Sequence, residues 1–113
     1  KAKEAFNDYL GNNNAIRFCE KNKYIPNMEV KFPNKDLDFW AIENRTKVIM
    51  NGHILFISPI ESQISYKLVL GSEKDIEDSK YLYNLFKTKL NKETLAYFNR
   101  KLKIEHVFKE NIE

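Results

Sequence analysis

The sequence predicts an α+β fold: a small mixed, mostly antiparallel sheet of four to five strands, followed by a three-helix C-terminal half. Three observations predict it. Around Ile16–Phe18 and Met28–Phe32, apolar and polar residues alternate at period two, as in half-buried strands. Asn51-Gly52 separates two apolar runs, the strongest short-range hairpin signal, because both turn residues must take positive φ. From Ser58 onward the apolar spacing becomes three and four, and a capping residue precedes each stripe.

Taken in order, residues 3–10 place Phe6, Tyr9 and Leu10 on one helical face, with Gly11 as a stop and Asn12-Asn13-Asn14 as a loop. Residues 15–21 fit a strand, with Ile16 and Phe18 alternating, or a short helix. Met28, Val30 and Phe32 mark a half-buried strand that Pro33-Asn34-Lys35 breaks. Residues 37–42 are apolar on both faces and read as an internal strand. Residues 46–50 and 53–57 are the two arms of the hairpin.

The helical half opens with Ser58 as N-cap, Pro59 at the first helical position and Glu61 closing a capping box. This helix runs to Leu70, where Gly71 ends it. Ser72 caps a second helix over 73–90. Asn91 caps a third over 92–103, with Leu95, Phe98 and Leu102 on one face. The tail from Ile104 continues this helix or frays. There is no internal repeat and no Gly/Ser linker, so a single domain over residues 1–113 is expected. The chain opens on Lys1 rather than Met, which points to further sequence upstream.

Bulk properties narrow the function classes. The chain is 42% hydrophobic and 31% charged, ordinary values for a globular domain. No apolar run approaches the roughly 18–20 residues of a membrane span, and no signal peptide is visible. A net charge of +3 falls short of a nucleic-acid signature by itself. The lone Cys19 excludes an intramolecular disulfide and a cysteine-rich zinc site, and suits a reducing cytoplasm. His53 and His106 have no Cys or His partner at ligand spacing.

Two constellations carry candidate chemistry. Ile60, Ile64 and Leu68 form the buried stripe of the first helix, and Lys67 lies at its border. In the second helix Leu82, Phe86 and Leu90 form the stripe, with Asp75 in line with it and Asp78 on its flank. A core-facing ammonium needs an acidic partner, because its desolvation costs several kcal/mol. One reading is structural: Asp75 completes a capping box with Ser72, and Lys67 extends its ammonium to water. The other is a polar pocket lined by Lys67, Lys74, Asp75 and Asp78 that takes phosphate. The second constellation is Asp36-Leu37-Asp38. Two carboxylates at alternate strand positions share a face and form either a Mg²⁺ site or a solvated strand end.

The run ISPIESQISYKLVLGSEKDIEDSKYLYNLF resembles the C-terminal part of small prokaryotic nucleotidyltransferases, including the abortive-infection toxin type. The resemblance covers about residues 28–90. Its motifs are Ser58-Pro59-Ile60-Glu61, Tyr66-Lys67-Leu68 and Lys74-Asp75-Ile76-Glu77-Asp78, followed by Leu82. It implies a nucleotidyltransferase-like fold that binds a nucleoside triphosphate with Mg²⁺ and transfers a nucleotide to RNA, tRNA among them, or to protein. It implies catalytic roles for Asp38, Lys67 and Asp75, nucleotide contacts from Lys67, Lys74 and Asp78, and metal binding by Asp36 and Asp38. A cognate antitoxin is a further implied partner. The family's N-terminal Gly-Ser turn followed by Asp-x-Asp does not occur in this sequence, so activity is expected to need upstream residues. The alternative is a non-catalytic RNA- or protein-binding module on the same fold. A structural or partner-binding protein that takes no nucleotide is a third possibility.

Overall fold

The structure is a computed structural model that describes residues 2–12 and 14–113. Asn13, at the centre of the expected asparagine loop, lies outside the described residues, as does Lys1. The chain divides into two compact units, Lys1–Trp40 and Ala41–Glu113.

The first unit opens with a short helix α1 (Ala2–Glu4), a π-helical turn (Ala5–Tyr9) and a 3-10 turn (Leu10–Asn12). Gly11 therefore sits inside a helical turn rather than ending one. Strands β1 (Ile16–Cys19) and β2 (Asn27–Val30) follow and pair antiparallel, Ile16 opposite Val30 and Cys19 opposite Asn27. Of the two readings open for residues 15–21 the strand forms, over Ile16–Cys19, and the second strand ends two residues short of Phe32. Across the ladder Arg17 faces Glu29 at 3.1 Å. Phe6 and Phe32 meet edge-on, with ring centroids 6.1 Å apart. Among the described side chains of this unit none is buried, so it has no closed core.

The sheet of four to five strands is not what forms. Among the described residues there are two separate two-stranded antiparallel sheets and six α-helices. The main cause is residues 37–42, expected as an internal strand and found within helix α2 (Asp36–Glu43). A short run apolar at nearly every position fits either period, and here the helix start decides it. The Asp38 carboxylate reaches back to accept hydrogen bonds from the backbone N–H of Asn34 (3.1 Å) and Lys35 (3.3 Å). Those donors would otherwise lack partners at the helix N-terminus.

The second unit begins with the expected hairpin. Strands β3 (Thr46–Met50) and β4 (His53–Ile57) pair from Thr46–Ile57 to Met50–His53. Asn51 (φ 51°) and Gly52 (φ 77°) make the turn, both left-handed as a type I′ turn demands.

Helix α3 (Ile60–Leu70) starts one residue later than the capping box requires. Its N-cap is Pro59, whose carbonyl accepts from Gln63 N–H, and Ser58 caps nothing. Glu61 thereby falls out of capping register. Its carboxylate instead accepts from the backbone N–H of Asn91 at 3.0 Å, 30 residues away. Gly71 ends the helix as expected, left-handed (φ 74°), its N–H donating to the Lys67 carbonyl. Helix α4 (Glu73–Phe86) has the expected Ser72 cap, and helix α5 (Lys92–Lys101) the expected Asn91 cap, which accepts from Thr94 N–H at 3.0 Å.

Beyond α5 the chain neither continues nor frays. Helix α6 (Glu105–Asn111) is a fourth helix of this unit. The break is a Schellman closure: Lys103 is left-handed (φ 60°), its N–H donates to Arg100 O, and Ile104 N–H donates to Asn99 O at 2.9 Å. Lysine at the position glycine usually takes hid this stop. The closure turns Ile104 into the core, where it is 7% exposed, beside Ile64, Leu68, Leu95 and Phe108. Helix α3 is central and packs against α4, α5 and α6.

An L-residue in the left-handed region costs about 1–2 kcal/mol, of which glycine's larger unfolded-state entropy offsets part. Lys103 is exposed, so its side chain gives up little on removal. Lys103→Gly is expected to raise unfolding stability by about 0.5–1 kcal/mol, read as an upward shift in the urea midpoint at constant m. An unchanged or lowered midpoint would refute the cap assignment.

Candidate functional site

The residues picked out by sequence fall in different places. Asp36 and Asp38 lie in the first turn of α2, at the end of the coreless first unit. Asp36 is exposed. Asp38 is half-buried and occupied structurally. The N–H of Asn34 does most to hold its carboxyl below the usual aspartate range, helped by Lys35 N–H and by the charges of Lys31 and Lys35. Partial burial pulls the other way. Lys31 Nζ stands 3.9 Å from its Oδ1. As helix neighbours two residues apart, the two carboxylates no longer share the face a strand would have given them.

In the second unit Lys67 and Asp78 do meet. Lys67 Nζ donates to Asp78 Oδ2 at 3.2 Å, between α3 and α4. The side chains are 30% and 41% exposed, so the pair sits at the rim of the helix contact and keeps much of its hydration. Asp75 does not join it. Its backbone N–H donates to Ser72 Oγ (3.1 Å) and its carboxylate accepts from the same hydroxyl (2.7 Å), the capping role. Lys74 is exposed in the first turn of α4. Among the described residues no group of three or more His, Cys, Asp or Glu is placed to hold a metal ion. No described helix is long and apolar enough to cross a membrane.

The hairpin presents a different kind of surface. Lys47, Ile49, Ile54 and Phe56 lie on one face, since Ile49 pairs with Ile54 and Lys47 with Phe56. Ile49 is 71% exposed, and Ile54 and Phe56 are each 56% exposed. The Arg45 guanidinium lies 5.0 Å above the Phe56 ring, a cation–π contact at the end of this face. On the opposite face Met50 and Leu55 are also exposed, while Val48 and Ile57 are half-buried. Neither strand has a second strand partner among the described residues, so both outer edges carry unpaired backbone donors and acceptors. Residues 44–58 contain Arg45, Lys47 and His53 but no acidic residue. The sequence does carry a signal for this surface: both arms are apolar at nearly every position, whereas a hairpin with one wet face would alternate.

Comparison of the chain with models of known families, with curated proteins and with solved structures finds no match in any of the three.

Two predictions follow from the charged groups. The folded-state pKa of Asp38 is depressed, so its contribution to stability is full above the unfolded value and is lost as pH falls through the folded value. Carbon-detected NMR is expected to find Asp38 titrating below an ordinary aspartate, and Asp38→Asn to flatten the acid limb of the stability curve. For Lys67 and Asp78, a double-mutant cycle with Lys67→Gln and Asp78→Asn is expected to give a coupling of about 0.2–1 kcal/mol that shrinks with added salt. A coupling insensitive to salt would show a desolvated pair instead.

Proposed function

We propose that this chain is a non-catalytic protein-binding module that captures an extended, apolar, carboxylate-bearing segment of a partner along the β3–β4 hairpin. The observation that supports it is the exposed Ile49–Ile54–Phe56 face beside two bare strand edges. A lone two-stranded hairpin is marginal in water, and a third strand would complete it by β-augmentation. Backbone hydrogen bonds would supply the register, and the alternate side chains of the partner would cover the apolar face. Completing the burial of three half-exposed side chains contributes roughly 1 kcal/mol each. Charge selects the partner. With Arg45, Lys47 and no acid along the hairpin, an incoming strand with Asp or Glu at its polar positions is favoured. A second copy of the hairpin is disfavoured, because it would bring the same cations together.

The nucleotidyltransferase resemblance supports the other reading, a Mg²⁺-dependent nucleotide site built with upstream residues. The geometry favours it less. Asp38 and Asp75 are engaged in helix capping, and Lys67 is satisfied by Asp78. RNA is a weaker fit to the hairpin than protein, because phosphate binding calls for a cationic surface and this one is mainly apolar.

The test is a titration of the chain with a short peptide alternating valine and glutamate, followed by NMR. Saturable shifts confined to β3 and β4 are expected, with a dissociation constant of about 10–100 µM. Phe56→Glu should remove them, and a valine–lysine peptide should bind at least about tenfold more weakly. Equal binding of the two peptides would overturn the proposal. So would saturable binding of Mg²⁺–ATP that Lys67→Ala abolishes, which would restore the nucleotide reading.

A further inference from the structure

A second site lies elsewhere in the helical unit, and no hairpin residue takes part in it. Helices α5 and α6 enclose an open cavity of about 400 Å³, within the range of roughly 300–1,000 Å³ typical of small-molecule sites. Its floor is apolar: Leu95 and Ala96 from α5, Phe108 from α6 and the ring of Tyr83 from α4. Tyr83 and Phe108 meet edge-on at 5.7 Å, which fixes both rings.

One polar group is built into the cavity wall. Asn99 is 5% exposed and lines it. Its Oδ1 accepts from Ser65 Oγ at 2.8 Å, which orients the amide. Among the described residues its Nδ2 donates to no acceptor, and none of their buried side-chain nitrogens or oxygens is left without a partner. The Nδ2 group is therefore open to the cavity. An acceptor that enters the cavity can bond to it directly.

The rim carries charges of both signs. Lys92 and Lys109 supply two ammonium groups, Glu105 and Glu113 two carboxylates. None of the four takes part in the ion pairs formed among the described residues. Their charges cancel, so the rim favours neither a pure anion nor a pure cation. It suits a molecule that brings both signs at once.

We propose that this cavity binds a small apolar zwitterion with the chemistry of a free aromatic amino acid. The carboxylate of the ligand accepts from Asn99 Nδ2 and faces the lysines. Its ammonium faces Glu105 and Glu113, and its side chain lies over Leu95, Ala96 and Phe108.

The experiment titrates the isotope-labelled chain with L-phenylalanine, 3-phenylpropionate and phenethylamine, following the Asn99 side-chain amide and the Phe108 ring by NMR. L-Phenylalanine is expected to shift both resonances saturably, and each probe lacking one charge to bind at least about tenfold more weakly. Asn99→Asp keeps an acceptor for Ser65 but removes the donor, and should weaken L-phenylalanine binding at least about tenfold. Ala96→Leu fills the cavity from a half-buried position and should abolish binding while leaving the helical circular dichroism unchanged. The proposal is overturned if L-phenylalanine gives no saturable shift on the unmodified chain. Equal affinity for the three probes, or an affinity indifferent to Ala96→Leu in the folded protein, overturns it as well.

Discussion

Helix α3 can sit at the centre of the helical unit because the side chains at its closest contacts are small and hydrogen-bonded. Ser65 and Ser79 are fully buried, and Ser62 and Asn99 nearly so. Ser79 Oγ donates to the Ile64 carbonyl at 3.0 Å, tying α4 to α3, and Ser65 Oγ donates to Asn99 Oδ1, tying α5 to α3. Small residues at these crossings let the helices approach, and the hydroxyls offset their own desolvation by finding partners. The apolar residues Ile64, Leu68, Leu95, Ile104 and Phe108 fill the space that remains. Hydrophobic burial supplies most of the stabilisation, but it is non-directional, and the two buried hydroxyls fix which faces meet.

The same arrangement gives several acidic and basic residues of this half structural partners. Ser72 and Asp75 close the start of α4, Glu61 caps the turn into α5 through Asn91 N–H, and Lys67 reaches Asp78 across the α3–α4 contact. Each of these charged groups has a nearby structural partner. Among the described residues the hairpin carries no ion pair. Its apolar residues outnumber what a two-stranded sheet can cover, and most of them stay exposed.

Much of the second unit was legible in the sequence. The Asn51-Gly52 turn, the Gly71 stop and the Ser72 and Asn91 caps are local chemistry, and local chemistry decided them. The misreadings came where it was ambiguous or where a distant residue intervened. Residues 37–42 carry no clear period, and a carboxylate reaching back from Asp38 tips them to helix. Glu61 is spaced for a capping box, yet the helix starts a residue late and the carboxylate serves a backbone group 30 residues on. Helix α6 was missed because the stop that ends α5 is Lys103, a residue type rarely left-handed. Of the candidate site, helical spacing offered Lys67 two acidic partners on the next helix, while the choice of Asp78 over Asp75 depended on which carboxylate the Ser72 cap engaged. Nothing in the spacing of Asn99 announces that its amide opens on a cavity, because that depends on the placement of α6.

Asn99 therefore holds three connections at once. Its backbone carbonyl closes the α5–α6 turn by accepting from Ile104 N–H, its side-chain oxygen holds Ser65 of α3, and its amide nitrogen borders open space. A group that bound this nitrogen would need the folded positions of all three helices, since the unfolded chain has no such cradle. Occupancy and folding would then be thermodynamically linked: each tenfold excess of such a group over its dissociation constant adds about 1.4 kcal/mol to the stability of the helical unit.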